Sequence, residues 1–100
     1  MNTAMVMTKK QSERAHAQRR LVERYGISLS GREYKNVVRL IANSTRTNPT
    51  ARLIEQQSQR VSVWEVSWQG NNLVAVFDKF RQEIITFLPV EVYFPDRIAA

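Results

Sequence analysis

The chain reads as an α+β domain, two N-terminal helices packed on a four-stranded antiparallel β-meander. Three observations predict this. From Val61 to Leu88 it carries three β-rich runs, VSVWEVSWQ, LVAVFD and IITFLP, joined by turns too short for anything but antiparallel neighbours. The first half instead spaces its apolar residues helically, behind capping residues. Charge divides the same way: residues 1–60 hold twelve Lys or Arg against four Glu, whereas residues 61–100 hold three basic against five acidic residues.

In chain order, residues 1–7 are expected to be disordered, 8–43 to form the helical layer, 51–89 the sheet and 90–100 a tail. Thr8 or Ser12 caps the first helix, which runs to about Tyr25 and stops at Gly26, a residue free to turn left-handed. At 100° per residue Leu21, Tyr25, Val22 and Ala15 gather on one side, with Arg19, His16, Arg20 and Glu23 opposite. Ser30-Gly31-Arg32-Glu33 has capping-box spacing. The second helix should span residues 31–42, burying Tyr34, Val37, Val38 and Ile41 and turning Arg32, Lys35, Asn36 and Arg39 outward.

NSTRTNPT, residues 43–50, is a loop by composition. Residues 51–57 suit an edge strand, with Leu53 and Glu55 on one face and Ile54 and Gln56 on the other. Gly70-Asn71-Asn72 should turn Val61–Gln69 back into Leu73–Asp78, and Lys79–Glu83 should turn that strand into Ile84–Leu88. Trp64, Val66 and Trp68 share one face of their strand. Alternation pairs Ile84 with Leu88, and Ile85 with Phe87. Apolar residues on both faces predict a sheet covered by helices on one side and partly covered, or curled, on the other. The tail offers a short edge strand over Val90–Phe94.

With 100 residues there is room for one core. No cysteine is present, which excludes disulfides and thiolate sites, and a single histidine argues against a histidine metal cluster. No cofactor or metal is expected. No apolar run approaches the roughly 18 residues of a membrane span, and MNTAMVMTKK places its lysines after the short apolar stretch, the reverse of a secretory signal. A cytoplasmic protein without a membrane partner is the expectation. The net charge of +6, clustered on one side of the sequence, favours a polyanionic partner, because neutralised phosphates release counterions.

No phosphate-binding glycine loop, nucleophile elbow or carboxylate cluster occurs. Any catalysis must draw on His16, arginines, lysines and hydroxyls. His16, one turn from Arg19 and Arg20, titrates near neutrality and suits acid–base work in RNA cleavage by internal attack of a 2′-hydroxyl; its plainer reading is a solvated helix histidine. Arg60, Lys79 and Arg81 lie next to or between the strands: Arg60 begins the central strand, while Lys79 and Arg81 share a turn where they could grip a phosphate or else pair with Asp78 and Glu83. Thr86 offers a hydroxyl within the last strand, either to a phosphate or to a neighbouring strand. Trp64 and Trp68 read first as core and second as base-stacking platforms.

This order of elements, a helix carrying a histidine, a basic helix and a meander ending in an I-x-T-x-L-P-like strand, resembles the barnase–EndoU–colicin–RelE superfamily of small ribonucleases. The resemblance covers about residues 10–89 and lies in layout. It implies a metal-independent RNA-cleaving domain of toxin or phage type, with His16, Arg60, Lys79, Arg81 and Thr86 as the catalytic set. Several members use two histidines; here an arginine, lysine or tyrosine must take the second proton-transfer role.

The first expectation is therefore an RNA-directed endoribonuclease-like domain, with RNA ahead of DNA as partner. The alternative is a small, non-catalytic basic regulator that binds nucleic acid or a host protein through Arg19, Arg20, Arg32, Lys35 and Arg39. An inhibitor protein is a further candidate partner. A third reading is an interaction protein that docks through an exposed Trp or an edge strand.

Overall fold

Two capping boxes start the helices of the computed structural model, which describes residues 8–94. In α1 (Lys9–Tyr25) the Thr8 hydroxyl accepts the Gln11 amide at 3.1 Å, and the Gln11 side chain accepts the Thr8 amide at 3.0 Å. Ser30 and Glu33 repeat the pattern at 3.1 and 2.8 Å ahead of α2 (Gly31–Ala42). Each box satisfies two helix-start amides that would otherwise need water. α1 ends at Gly26 with φ of 68°, a left-handed conformation nearly free of cost only for glycine. Residues 1–7, expected to be disordered, and the end of the tail lie outside the described residues.

Four strands follow in the spatial order β1-β2-β3-β4, all antiparallel: β1 (Arg52–Gln56), β2 (Val61–Trp68), β3 (Asn71–Asp78) and β4 (Glu83–Leu88). The β2–β3 hairpin is tighter than the sequence suggests. Gln69 and Gly70 alone form the turn, with φ of 48° and 83°, the two positive values that a type I′ turn requires. Asn71 and Asn72 therefore join the ladder, opposite Trp68 and Ser67.

Helices cover one face of this sheet. Ala17 and Leu21 of α1 and Tyr34, Val37 and Ile41 of α2 pack with Val66, Leu73, Ala75, Phe77, Ile84 and Phe87. Trp64 and Trp68 join this layer partly buried, so both tryptophans serve the core. On the far face Val63, Val74 and Val76 meet Ile54, Ile85, Leu88, Val90, Tyr93 and Phe94. The tail thus supplies the partial second cover, but not as the edge strand expected over Val90–Phe94. Pro89 turns the chain into a 3₁₀ turn, Val90–Val92, closed by Val92 N–H to Pro89 C=O at 3.1 Å and Phe94 N–H to Val90 C=O at 2.9 Å. Folding back this way lays Val90, Tyr93 and Phe94 on one apolar surface; an extended strand would alternate them between surfaces.

Two β-bulges correct the strand faces read from alternation. In β4, Thr86 lies opposite Val76 and Ile84 opposite Phe77, leaving Ile85 as the extra residue. Ile84 and Phe87 consequently share the helix side, while Ile85 and Leu88 share the other. In β1 the extra residue is Ile54. It packs on the far face, where Glu55 accepts a hydrogen bond from the Tyr93 hydroxyl at 3.0 Å, so Glu55 does not follow Leu53.

The buried stripe of α1 is also rotated from expectation. Ala17 and Leu21 are fully buried, whereas Val22 is 50% exposed and Ala15 lies in solvent. Polar anchors at the helix end set the rotation. The Tyr25 hydroxyl accepts from Val74 N–H (3.0 Å) and donates to Leu88 C=O (2.6 Å), linking α1 to both strands at the Val74–Leu88 pair that ends the β3–β4 ladder. Arg24 donates to Phe87 C=O at 2.6 Å. These bonds hold α1 along β4 and occupy part of an edge that would otherwise be open to another strand.

Candidate nucleic-acid interface

α2 carries Arg32, Lys35 and Arg39 at spacings of three and four, which places them in one stripe. Tyr34, Val37 and Ile41 are buried on the opposite side, so the stripe faces solvent. Arg14 of α1 completes the group: with Gly31, Arg32, Lys35, Asn36 and Arg39 it lines a cleft of about 460 Å³ between the helices. Glu33, the acidic residue within this stretch of α2, has its carboxylate committed to the Ser30 amide. Among the described residues no carboxylate lies within ion-pair distance of Arg32, Lys35 or Arg39. Arg39 contacts Asn36 instead, at 3.4 Å. Three cations held side by side without counter-charges favour an anion that brings its own.

A second cleft, about 160 Å³, shares Arg14, Lys35 and Arg39 with the first and is lined also by Tyr34, Val38, Gln82 and Glu83. The Arg14 guanidinium lies over the Tyr34 ring, 5.0 Å from its centroid. Glu83, at the start of β4, is only 4% exposed. Its Oε1 is 4.0 Å from Arg14 and its Oε2 has no partner; Arg14 Nε is likewise unbonded. Burial first, and then the negative charge of Glu83, push the Tyr34 hydroxyl up to about 12.

The sheet end nearest the β3–β4 turn gathers a different set. Arg60 Nε contacts both Asp78 oxygens, at 3.0 and 2.9 Å, and its guanidinium lies 5.4 Å from the centroid of the exposed Phe80 ring. Asp78 also accepts the amides of Phe80 (3.0 Å) and Arg81 (3.2 Å). Desolvation works to raise this carboxyl, but the Arg60 bond and the two amides outweigh it and hold Asp78 below the usual carboxylate value. Arg81 forms a two-pronged pair with Glu13 of α1, at 2.5 and 2.6 Å. Its partner is thus Glu13, where the sequence suggested Asp78 or Glu83.

The sequence-predicted residues therefore separate into groups. Arg32, Lys35 and Arg39 share the α2 cleft. Arg19 projects from the exposed side of α1, and Arg20 bonds Glu23 at 2.7 Å. Arg60 reaches Asp78 through its guanidinium and Arg81 through its backbone amide, the Arg81 guanidinium turning instead to Glu13. Lys79 donates its amide to Arg60 C=O at 2.8 Å, but its side chain lines another cleft, with Ile41, Trp64 and Gln82. His16 sits half-buried on a flank of α1, one turn from the Glu13 that holds Arg81. Thr86 faces away from the helices, since it pairs with Val76, whose side chain belongs to the far-face layer.

Sequence reasoning missed Arg14 and Glu83. The available signal was Arg14 lying in line with Ala17 and Leu21 at helical spacing, a charge on the buried stripe that calls for a buried partner. Among the described residues no three His, Asp or Glu side chains converge as a metal site, and no helix is long and apolar enough to cross a membrane. Comparison with protein-family models, with curated proteins and with solved structures finds no match to this chain.

Proposed function

We propose that this protein binds RNA through the cleft between α1 and α2, with Arg14, Arg32, Lys35 and Arg39 on the phosphates. One observation carries the reading: these cations line a single cleft, and three of the four have no carboxylate partner among the described residues. Phosphate neutralisation by such a set is driven by counterion release and is steeply weakened by salt. Arginine contributes forked donors matched to phosphate oxygens. The test is titration of labelled single-stranded RNA with the intact chain and with an Arg32→Ala/Lys35→Ala variant. Loss of affinity together with a shallower salt dependence is expected; unchanged binding overturns the reading.

A second reading adds cleavage, as a metal-independent ribonuclease of toxin or phage type. It is favoured by Arg60 and Arg81 both bonding Asp78, one through its side chain and one through its amide, with His16 on the helix whose Glu13 holds the Arg81 guanidinium. Both guanidinia are engaged by carboxylates, so a scissile phosphate must displace Asp78 or Glu13 to reach them, and binding is therefore preferred. Cleavage predicts RNA cut in the presence of a chelator, with cyclic phosphate ends, and abolished by His16→Ala while binding survives. Intact RNA at protein concentrations well above the binding constant eliminates it.

A further inference from the structure

Beneath the phosphate-binding rim lies a feature that backbone binding does not use. Glu83 is almost wholly buried, and one of its carboxylate oxygens has no hydrogen-bond partner among the described residues. A buried carboxylate oxygen left without a hydrogen bond is costly even when the other oxygen faces a cation, as here, yet Glu83 does not face a closed core. It lines the smaller cleft, which shares Arg14, Lys35 and Arg39 with the larger one. Arg14 separates the two chemistries. One face of its guanidinium lies over Tyr34, its side chain remains 30% exposed, and it lines both clefts.

We propose that this inner cleft reads a single unpaired RNA base, by stacking it on the Arg14 guanidinium and accepting a hydrogen bond from its exocyclic amino group at Glu83 Oε2. The assignment rests on the RNA-binding reading above and specifies which nucleotide that site prefers. A splayed base presents its edge while its own phosphate stays outside, which matches an acceptor below a cationic rim. Arginine planes are established stacking surfaces for such bases. The acceptor selects by sign. Cytosine offers an amino donor where uracil, of nearly the same shape, offers a carbonyl oxygen, and a carboxylate attracts the first and repels the second. A site whose buried group goes unpaired with the wrong ligand discriminates strongly against it.

The experiment compares oligo(C) and oligo(U) RNA of equal length, titrated with the intact protein at one fixed salt concentration. Cytidine preference of about fivefold or more is expected. Glu83→Gln keeps the shape and places an amide donor beside the acceptor, so it should lose most of that preference while retaining the salt dependence of the rim. A thermal melt checks that the variant is folded. Equal affinity of the intact protein for both RNAs overturns the base-reading proposal and leaves phosphate binding standing. Preference that survives Glu83→Gln also overturns it. Failure to bind either RNA sinks the proposed function itself, so the two failures are distinguishable.

Discussion

Replacing Arg32 and Lys35 together by alanine removes two of the four cations that line the α1–α2 cleft. Each phosphate neutralised on a single strand contributes about 0.7 to the slope of log affinity against log salt. Four contacts therefore give a slope of about −3, and the double variant retains roughly half of it. In measurable terms, raising salt fourfold should weaken the intact protein about 50-fold and the variant only about 7-fold. Fluorescence anisotropy with a labelled single-stranded RNA, titrated across that range, reads both slopes. Both residues are exposed and form no ion pair among the described residues, so folding stability should move by less than about 0.5 kcal/mol. Arg19→Ala is the control, because Arg19 projects from α1 and does not line the cleft. If the double variant keeps the full slope, or if Arg19→Ala flattens it as much per charge removed, diffuse charge and not this cleft binds the RNA.

Other expectations concern the scaffold. Tyr25→Phe leaves Val74 N–H and Leu88 C=O without the hydroxyl that bridges them, and should lower the unfolding free energy by about 1–3 kcal/mol in a urea titration. Leu21→Ala empties a fully buried position between α1 and the sheet, with a cost of about 2–5 kcal/mol by the same measurement. Asp78 has a folded-state pKa below its unfolded value of 3.8. Its contribution is therefore complete above that value and is lost as pH falls below it toward the folded pKa. Asp78→Asn should remove that part of the acid-side loss, seen as a shallower decline in melting temperature below about pH 4.

Local chemistry made much of the architecture legible in advance. Ser30 and Glu33 at capping-box spacing, Gly26 after the last turn of α1, and the β-rich runs from Val61 onward with their short turns each act within a few residues. They give the same helices and strands whatever packs against them. The basic stripe of α2 was readable for the same reason, since Arg32, Lys35 and Arg39 share a face by helical geometry alone.

Tertiary structure decided what depends on a surplus residue or a distant partner. The bulges at Ile54 and Ile85 shift the inside–outside order by one position, and no alternation rule anticipates where a ladder inserts an extra residue. The rotation of α1 follows from Tyr25 and Arg24 reaching β3 and β4, contacts that span 49 to 63 residues. The same docking joins Arg14 to the α2 stripe and sets it above the buried Glu83. Local pattern thus specifies a basic helical layer on a meander. Only packing, by carrying two charges into partly dehydrated positions, made a cleft of that layer, because the alignment of α1 on β4 is fixed by long-range bonds that no local pattern encodes.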